Sequence, residues 1–245
     1  MMPKHSKPLR SCLRKRLQRT AWSLRCATRS PSRDRDLPSV SNLSVVRVRN
    51  EYKSFLAGYL MELIAPDRRA AALLPSDTSL GMALEETFKN GGYYYCGICN
   101  TYYSPYVSFP LVTSLPASTD MGTWLYAADE MMKNYVYAMY IAPEIANGDL
   151  LYSLAMKGLI LVGGNTPPAE LRERWAGTIY LDIPTPLAEL LQSVAAGQGG
   201  TVIDAPIQLK DVNPDLLSLG RQRLMESTAE DLYKGLIYPF TPPLE

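Results

Sequence analysis

Two cysteines stand two residues apart in "GGYYYCGICNTYYSPYVSFP" (residues 91–110), among six tyrosines. A C-x-x-C pair serves as a dithiol redox centre, as half of a zinc site, or as a short local disulfide. In a thioredoxin-type centre the pair opens a helix, whose N-terminus lowers the pKa of the first thiol. Here three tyrosines precede Cys96 and "NTYYSPY" follows Cys99. The pattern therefore predicts a strand over 93–99, with no helix starting at the pair. A strand would point residues 96 and 99 to opposite faces unless the chain turns between them. A four-ligand zinc site needs two further ligands, and the chain beyond the N-terminal arm holds no other Cys and no His; the one His is His5. The pair reads as structural, with a local disulfide and dithiol or metal chemistry as the alternatives.

The same lack of histidine removes Ser–His–Asp and Cys–His catalysis from the body of the chain. Carboxylates are plentiful, but no spacing singles out a hydrolytic pair. "GGNTPP" (163–168) has neither GxxxxGK[ST] nor GxGxxG, so it is a weak phosphate-loop signal. What remains suits binding better than catalysis. Tyr93, Tyr94, Tyr95, Tyr102, Tyr103 and Tyr106, with Trp124 and Trp175, combine flat apolar faces with polar tips. Most such residues belong to a core or its rim; the loop position of Tyr102, Tyr103 and Tyr106 favours a ligand role. No cofactor, no metal and no enzymatic activity is expected.

Charge divides the 245 residues sharply. Residues 1–36 hold eleven Lys/Arg against Asp34 and Asp36, while the rest holds fourteen bases and twenty-two acids. Residues 1–40 thus read as a basic arm, too poor in apolar groups to offset its ordering entropy, and residues 41–245 as an acidic α/β body. The arm resembles an organelle transit peptide in composition and has no apolar run of signal-peptide length. "LRKRLQR" is suited to an anionic membrane surface; nucleic acid is the alternative, and none is expected. No stretch approaches the ~18 apolar residues of a membrane span.

Within the body, strands and helices alternate. "LSVVRVR" (43–49) reads as a strand and "EYKSFLAGYLMELIA" (51–65) as a helix that Pro66 ends. "RAAALLP" (69–75) is a buried strand, and "TSLGMALEETFKNGG" (78–92) a helix stopped by glycines. After the 93–99 strand and a proline-containing loop come a helix at 123–136, a strand at 136–143 and a helix at 148–158. "LILVGG" (159–164) has the continuous apolar run of a central parallel strand. A short helix in "AELRERWA", a strand at 177–183, a helix at 186–200 and a C-terminal helix complete the body. Such alternation predicts parallel sheets flanked by helices. Ligands in such folds sit beyond the carboxyl ends of strands. That rule points to the loop after Cys99, the turn after Ile141, residues 163–168 and the surroundings of Asp182.

The order of "FLAGYLMELIAPDRRAAALLP", "ALEETFKNGGYYYCGICNTYYSPYVSFP", "LAMKGLILVGGNTPPAELRERWAGTIYLD", "LAELLQSVAAGQGG" and "VNPDLLSLGRQRLMESTAEDLYKGLIYPF" resembles the basic membrane protein (BMP) family, substrate-binding proteins of ABC transporters. The likeness covers about residues 43–245. It rests most on the AGYL helix, on Phe88 and Gly91, and on the closing segment. It implies a two-lobed, type I periplasmic-binding fold whose lobes close on a small solute such as a nucleoside or sugar. The implied partner is a membrane permease, and the implied place extracytoplasmic and membrane-associated. Where nucleoside-binding members carry an acidic residue this chain has Asn165, and where they carry Lys it has Leu181 or Asp182. The ribose-clamping role is therefore not carried over. An Arg-rich arm stands where the family has a further βαβ region, implying a shortened first lobe and, as an alternative, a homologue that binds nothing. The expected cleft residues are Tyr103 and Trp175, stacking, and Asn165 and Asp182, hydrogen-bonding hydroxyls.

Overall fold

The computed structural model describes residues 23–28, 43–78, 81–97, 99 and 106–240. Its architecture follows from which strands are apolar on both faces. β3 (Ala70–Pro75) and β5 (Ala138–Ile141) are buried along their whole length, and β6 (Ile160–Gly163) nearly so. Such runs are stable only where helices cover both sides of a parallel sheet. They form the centre of a six-stranded sheet, with β4 (Leu111–Leu115) beyond β3 and β7 (Trp175–Leu181) beyond β6. All these pairs are parallel; β9 (Ile207–Lys210) closes the far edge antiparallel to β7. A second, three-stranded parallel sheet places β2 (Leu43–Val48) between β1 (Ser23–Thr28) and β8 (Val202–Asp204). β1 lies inside the stretch that the sequence assigns to the basic arm.

The chain passes between the two sheets three times. β2 leads to β3 through α1 (Asn50–Ile64), β7 leads to β8 through α5 (Pro184–Ala195), and β8 leads directly to β9. Each sheet has its own core. The large one gathers Phe55, Phe88, Phe109, Trp124 and Trp175, and the small one is built on Val46, Val48, Leu190 and Ala205. The remaining helices are α2 (Gly81–Cys96), α3 (Met121–Met132), α4 (Gly148–Met156) and α6 (Leu219–Tyr233).

Three local readings change. Residues 93–96 are the last turn of α2 and not a strand. The glycines expected to stop that helix are its contact with α1. A Cβ on Gly91 would lie 1.9 Å from the Phe55 carbonyl oxygen, and one on Gly58 would lie 1.8 Å from that of Phe88. The two helices therefore touch backbone to backbone, and that contact outweighs the β preference of three successive tyrosines. The tyrosine rings pack on α1: Tyr95 meets Tyr59 edge-on at 5.4 Å, and Tyr94 lies 5.7 Å from Phe55. Second, residues 111–115, read as loop, form edge strand β4. Third, the helix expected in "AELRERWA" is a single turn, Ala169–Leu171, and Trp175 already belongs to β7.

Two variants test the helix contact. Gly58→Ala and Gly91→Ala each push a methyl into backbone that cannot yield, and should each cost about 1–3 kcal/mol or more in urea unfolding. Gly220→Ala, where a Cβ meets nothing within 4 Å, should leave stability unchanged or raise it. Equal midpoints for all three variants would show that the helices do not depend on this approach.

Candidate functional site

In the large sheet, β3 is flanked by β4 on one side and β5 on the other. The connections leaving β3 and β5 therefore turn to opposite faces, and a crevice opens at their carboxyl ends. That crevice is present, with a floor of Leu74, Tyr140 and Ala142 and about 60 Å³ of space. Its polar lining comes from three elements: Asn50 and Lys53 from the first turn of α1, Thr78 from the segment after β3, and Glu144 from the turn after β5. No side chain caps the start of α1; the N–H groups of Tyr52 and Lys53 donate to the Arg49 carbonyl at 3.1 and 3.2 Å.

Lys53 is half-buried and spans from α1 to the end of β6: its Nζ lies 2.6 Å from where a Cβ on Gly164 would stand. A side chain at residue 164 would displace the ammonium from this position. Loss of hydration lowers the Lys53 pKa, and the Glu144 charge offsets part of that. The Tyr140 phenol is held well above its ordinary range, chiefly by burial and secondarily by Glu144, so it remains a neutral donor and acceptor. The Thr78 hydroxyl is buried with no hydrogen-bond partner. Ser54, by contrast, is committed, donating to the Leu84 carbonyl at 2.7 Å. The crevice thus presents a cation, an anion and two hydroxyls to one small volume. The phenol and the Thr78 hydroxyl each give and take a hydrogen bond. That set is suited to hydrogen-bonding a polar solute.

The residues expected from sequence fall in different places. Tyr103 lies outside the described residues. Asn165 is exposed just past β6, and its amide donates to the carbonyl of Pro143, a lining residue, at 3.4 Å. Trp175 is core: its ring fills the space beside Gly163, and its indole N–H donates to the Thr178 hydroxyl at 3.0 Å. Thr178 in turn reaches Asp211 at 2.9 Å and the backbone oxygen of Asn165 at 3.3 Å. Trp175 therefore supports the loop carrying Asn165 from below and offers no open face. Asp182 sits where β7 leaves for α5. Its carboxylate accepts from Gln208 Nε2 at 3.1 Å and the Thr185 N–H at 3.3 Å, and its own N–H donates to the Pro206 carbonyl at 2.9 Å. These bonds tie two of the three passes between sheets.

Lys53, Thr78 and Glu144 were not singled out in the sequence. Glu144 had a signal, since it lies in the turn after Ile141 that the strand-end rule indicates. Lys53 had a weaker one, a lone cation in an otherwise apolar helix face.

No family model and no curated protein matches the chain. Solved structures do. An ABC-transporter solute-binding protein from Conexibacter woesei DSM 14684 aligns with a TM-score of 0.65 at 16% identity, covering 89% of this chain and 70% of its own. A transcriptional activator of the comK gene from Bacillus halodurans gives 0.62 at 12% identity, covering 82% and 68%. An ABC-transporter solute-binding protein from Aeropyrum pernix K1 gives 0.56 at 14%, covering 84% and 68%. At these identities the likeness is one of fold: mixed α/β, with a parallel-dominated sheet flanked by helices, as in the periplasmic solute-binding proteins of ABC transporters.

Proposed function

We infer that this chain is a solute-binding protein of the BMP kind. It captures a small polar metabolite, a nucleoside or a sugar-like molecule, in the crevice at the carboxyl ends of β3 and β5 and presents it to an ABC-transporter permease without altering it. The observation that carries this reading is the convergence of Lys53, Thr78 and Glu144 on the strand-end crevice, with the Thr78 hydroxyl buried and unpaired. A buried hydroxyl without a partner costs about 1–3 kcal/mol, and a hydroxyl-rich solute relieves that cost. Three chain passes between the sheets are the kind of hinge about which two lobes close on a ligand. Asn165 at the rim supplies a further amide to a hydroxyl. The place that goes with this reading is extracytoplasmic and membrane-associated; among the described residues no helix is long and apolar enough to cross a membrane.

Screening nucleosides and monosaccharides by thermal unfolding tests the proposal. A true solute should stabilise the folded chain by about 2.7 kcal/mol at a hundred times its Kd. Well-folded protein that responds to no member of either class would overturn it.

Lys53 separates binding from stability. Its pKa is lowered in the fold, so the hydration penalty is fully present below the folded pKa and disappears as pH rises toward the unfolded value. Lys53→Met should therefore melt at or above the wild-type temperature at neutral pH, with the difference narrowing in alkali. The same variant should lose the response to solute. A variant that melts lower but binds normally would place Lys53 in the scaffold.

A further inference from the structure

We propose that Glu62, Cys96 and Cys99, with the cysteines reduced, form a three-ligand site for Zn²⁺ that leaves a fourth position open. The proposal is independent of the solute crevice. Glu62 lies on the last turn of α1 and is fully buried, and neither carboxylate oxygen has a hydrogen-bond partner. Beside it, Cys96 ends α2 and Cys99 returns over that end, with the two sulfurs joined as a disulfide and the Cα atoms 5.3 Å apart. One carboxylate oxygen and both sulfurs lie within 4.8 Å of one another.

Local structure favours this convergence. Gly97, with φ of +69°, reverses the chain directly after the helix, which brings Cys99 back beside Cys96. Gly92 leaves the room that the Glu62 side chain takes, since a Cβ there would stand 3.3 Å from Glu62 Cγ. The Gly92 carbonyl oxygen is 3.2 Å from one sulfur and 3.3 Å from the other, adding a fixed negative dipole. The site also stands at the C-terminal end of α2, the end whose dipole favours a cation. Arg68 is an opposing charge that partly offsets the burial of the Glu62 carboxyl, while its guanidinium donates to the Glu62 backbone oxygen at 2.5 Å and lies over the Tyr95 ring.

A buried carboxylate without partners must be relieved by a proton or by a cation. With the disulfide closed the proton serves; once the cysteines are reduced, two adjacent sulfurs offer the second and name its class. Mg²⁺ and Ca²⁺ call for oxygen shells, whereas sulfur with one carboxylate suits zinc. Around tetrahedral zinc, ligand atoms stand roughly 3.5–3.8 Å apart, as follows from Zn–S near 2.3 Å and Zn–O near 2.1 Å. The carboxylate oxygen and the sulfurs already lie within 4.8 Å of one another, and the two sulfurs must part from bonding distance to the tetrahedral spacing. The disulfide excludes the metal, because both sulfurs are bonded to each other. Reduction takes two electrons and two protons, supplied by two monothiol molecules that leave as their own disulfide. Zinc binding then releases one proton from each cysteine thiol, and one from the carboxyl where it carries one.

The test titrates the phosphine-reduced full chain with Zn²⁺ against a chromophoric chelator, and with Co²⁺ to read thiolate ligation by absorption. One metal per chain and a cobalt–thiolate band are expected. Glu62→Gln should weaken zinc by about tenfold or more, a loss that even outer-shell partners produce, and it should keep the band. Cys96→Ser with Cys99→Ser should abolish both, with circular dichroism and melting confirming that each variant is folded. The proposal fails if the reduced chain gives no band, if the double cysteine variant binds zinc equally, or if Glu62→Gln binds unchanged. That last result would mean a proton alone serves the carboxyl. The band in the unaltered chain decides the matter even where a variant does not fold.

Discussion

The backbone contact between α1 and α2 at Gly58 and Gly91 is the constraint on which the rest of the molecule depends. With a Cβ on either glycine placed under 2 Å from a carbonyl oxygen, the two helix axes have one depth of approach. That depth seats Leu56, Leu60 and Leu63 of α1 in the main core and fixes the helix rotation. Rotation in turn decides what the two ends of α1 present. Lys53 comes out at the strand-end crevice, and Glu62, nine residues and about 14 Å further along, is driven against the end of α2. A helix that packed a side chain's thickness further away would do neither.

The passes between the two sheets are stiffened differently. At the first, Arg47 and Arg49 of the β2–α1 junction both approach Asp204 of β8, with Arg47 making a two-pronged contact. Prongs of this kind fix direction as well as distance. At the second and third, Asp182 holds the start of α5 and reaches β9 through Gln208. Tyr233 adds a bond from α6 to the Ala205 carbonyl at 2.8 Å. Arg47 and Asp204 are register partners on neighbouring strands of the small sheet, so that bond holds the sheet itself together, while Arg49, Asp182 and Tyr233 tie it to the segments that lead to the large one. Asp182, expected as a ligand group, has both carboxylate oxygens engaged in these ties.

What the sequence disclosed depended on the range of the interaction. β3, β5 and β6 were legible because a strand buried on both faces carries its own signal, an unbroken apolar run. The strand-end rule then located the turn holding Glu144 without naming the residue. Residues 93–96 were misread because Tyr-Tyr-Tyr prefers strand locally, while the helix there is imposed by Phe55 and Gly58, more than thirty residues earlier. Trp175 was misread for a similar reason: nothing local says that its ring will fill the space beside Gly163. Glu62 gave no signal at all. A glutamate on an apolar helix reads as one solvated turn, and only the crossing of α1 with α2 buries it beside Cys96 and Cys99.

The buried polar atoms left without partners give the final step. Among the described residues these include the Thr78 hydroxyl and both oxygens of Glu62. Folding alone gains nothing from either, since each forfeits hydration and returns no bond. Thr78 opens on a crevice at a switch point, and Glu62 faces two sulfurs. Each therefore lies where an external group of complementary chemistry can approach, a hydroxylated solute in one case and a soft cation in the other. The Ser44 hydroxyl, also unpaired, adjoins neither place and has no such account. Sequences depart from local consistency chiefly where a ligand is to complete them, and α1 carries or borders both departures because its packing leaves it no other rotation.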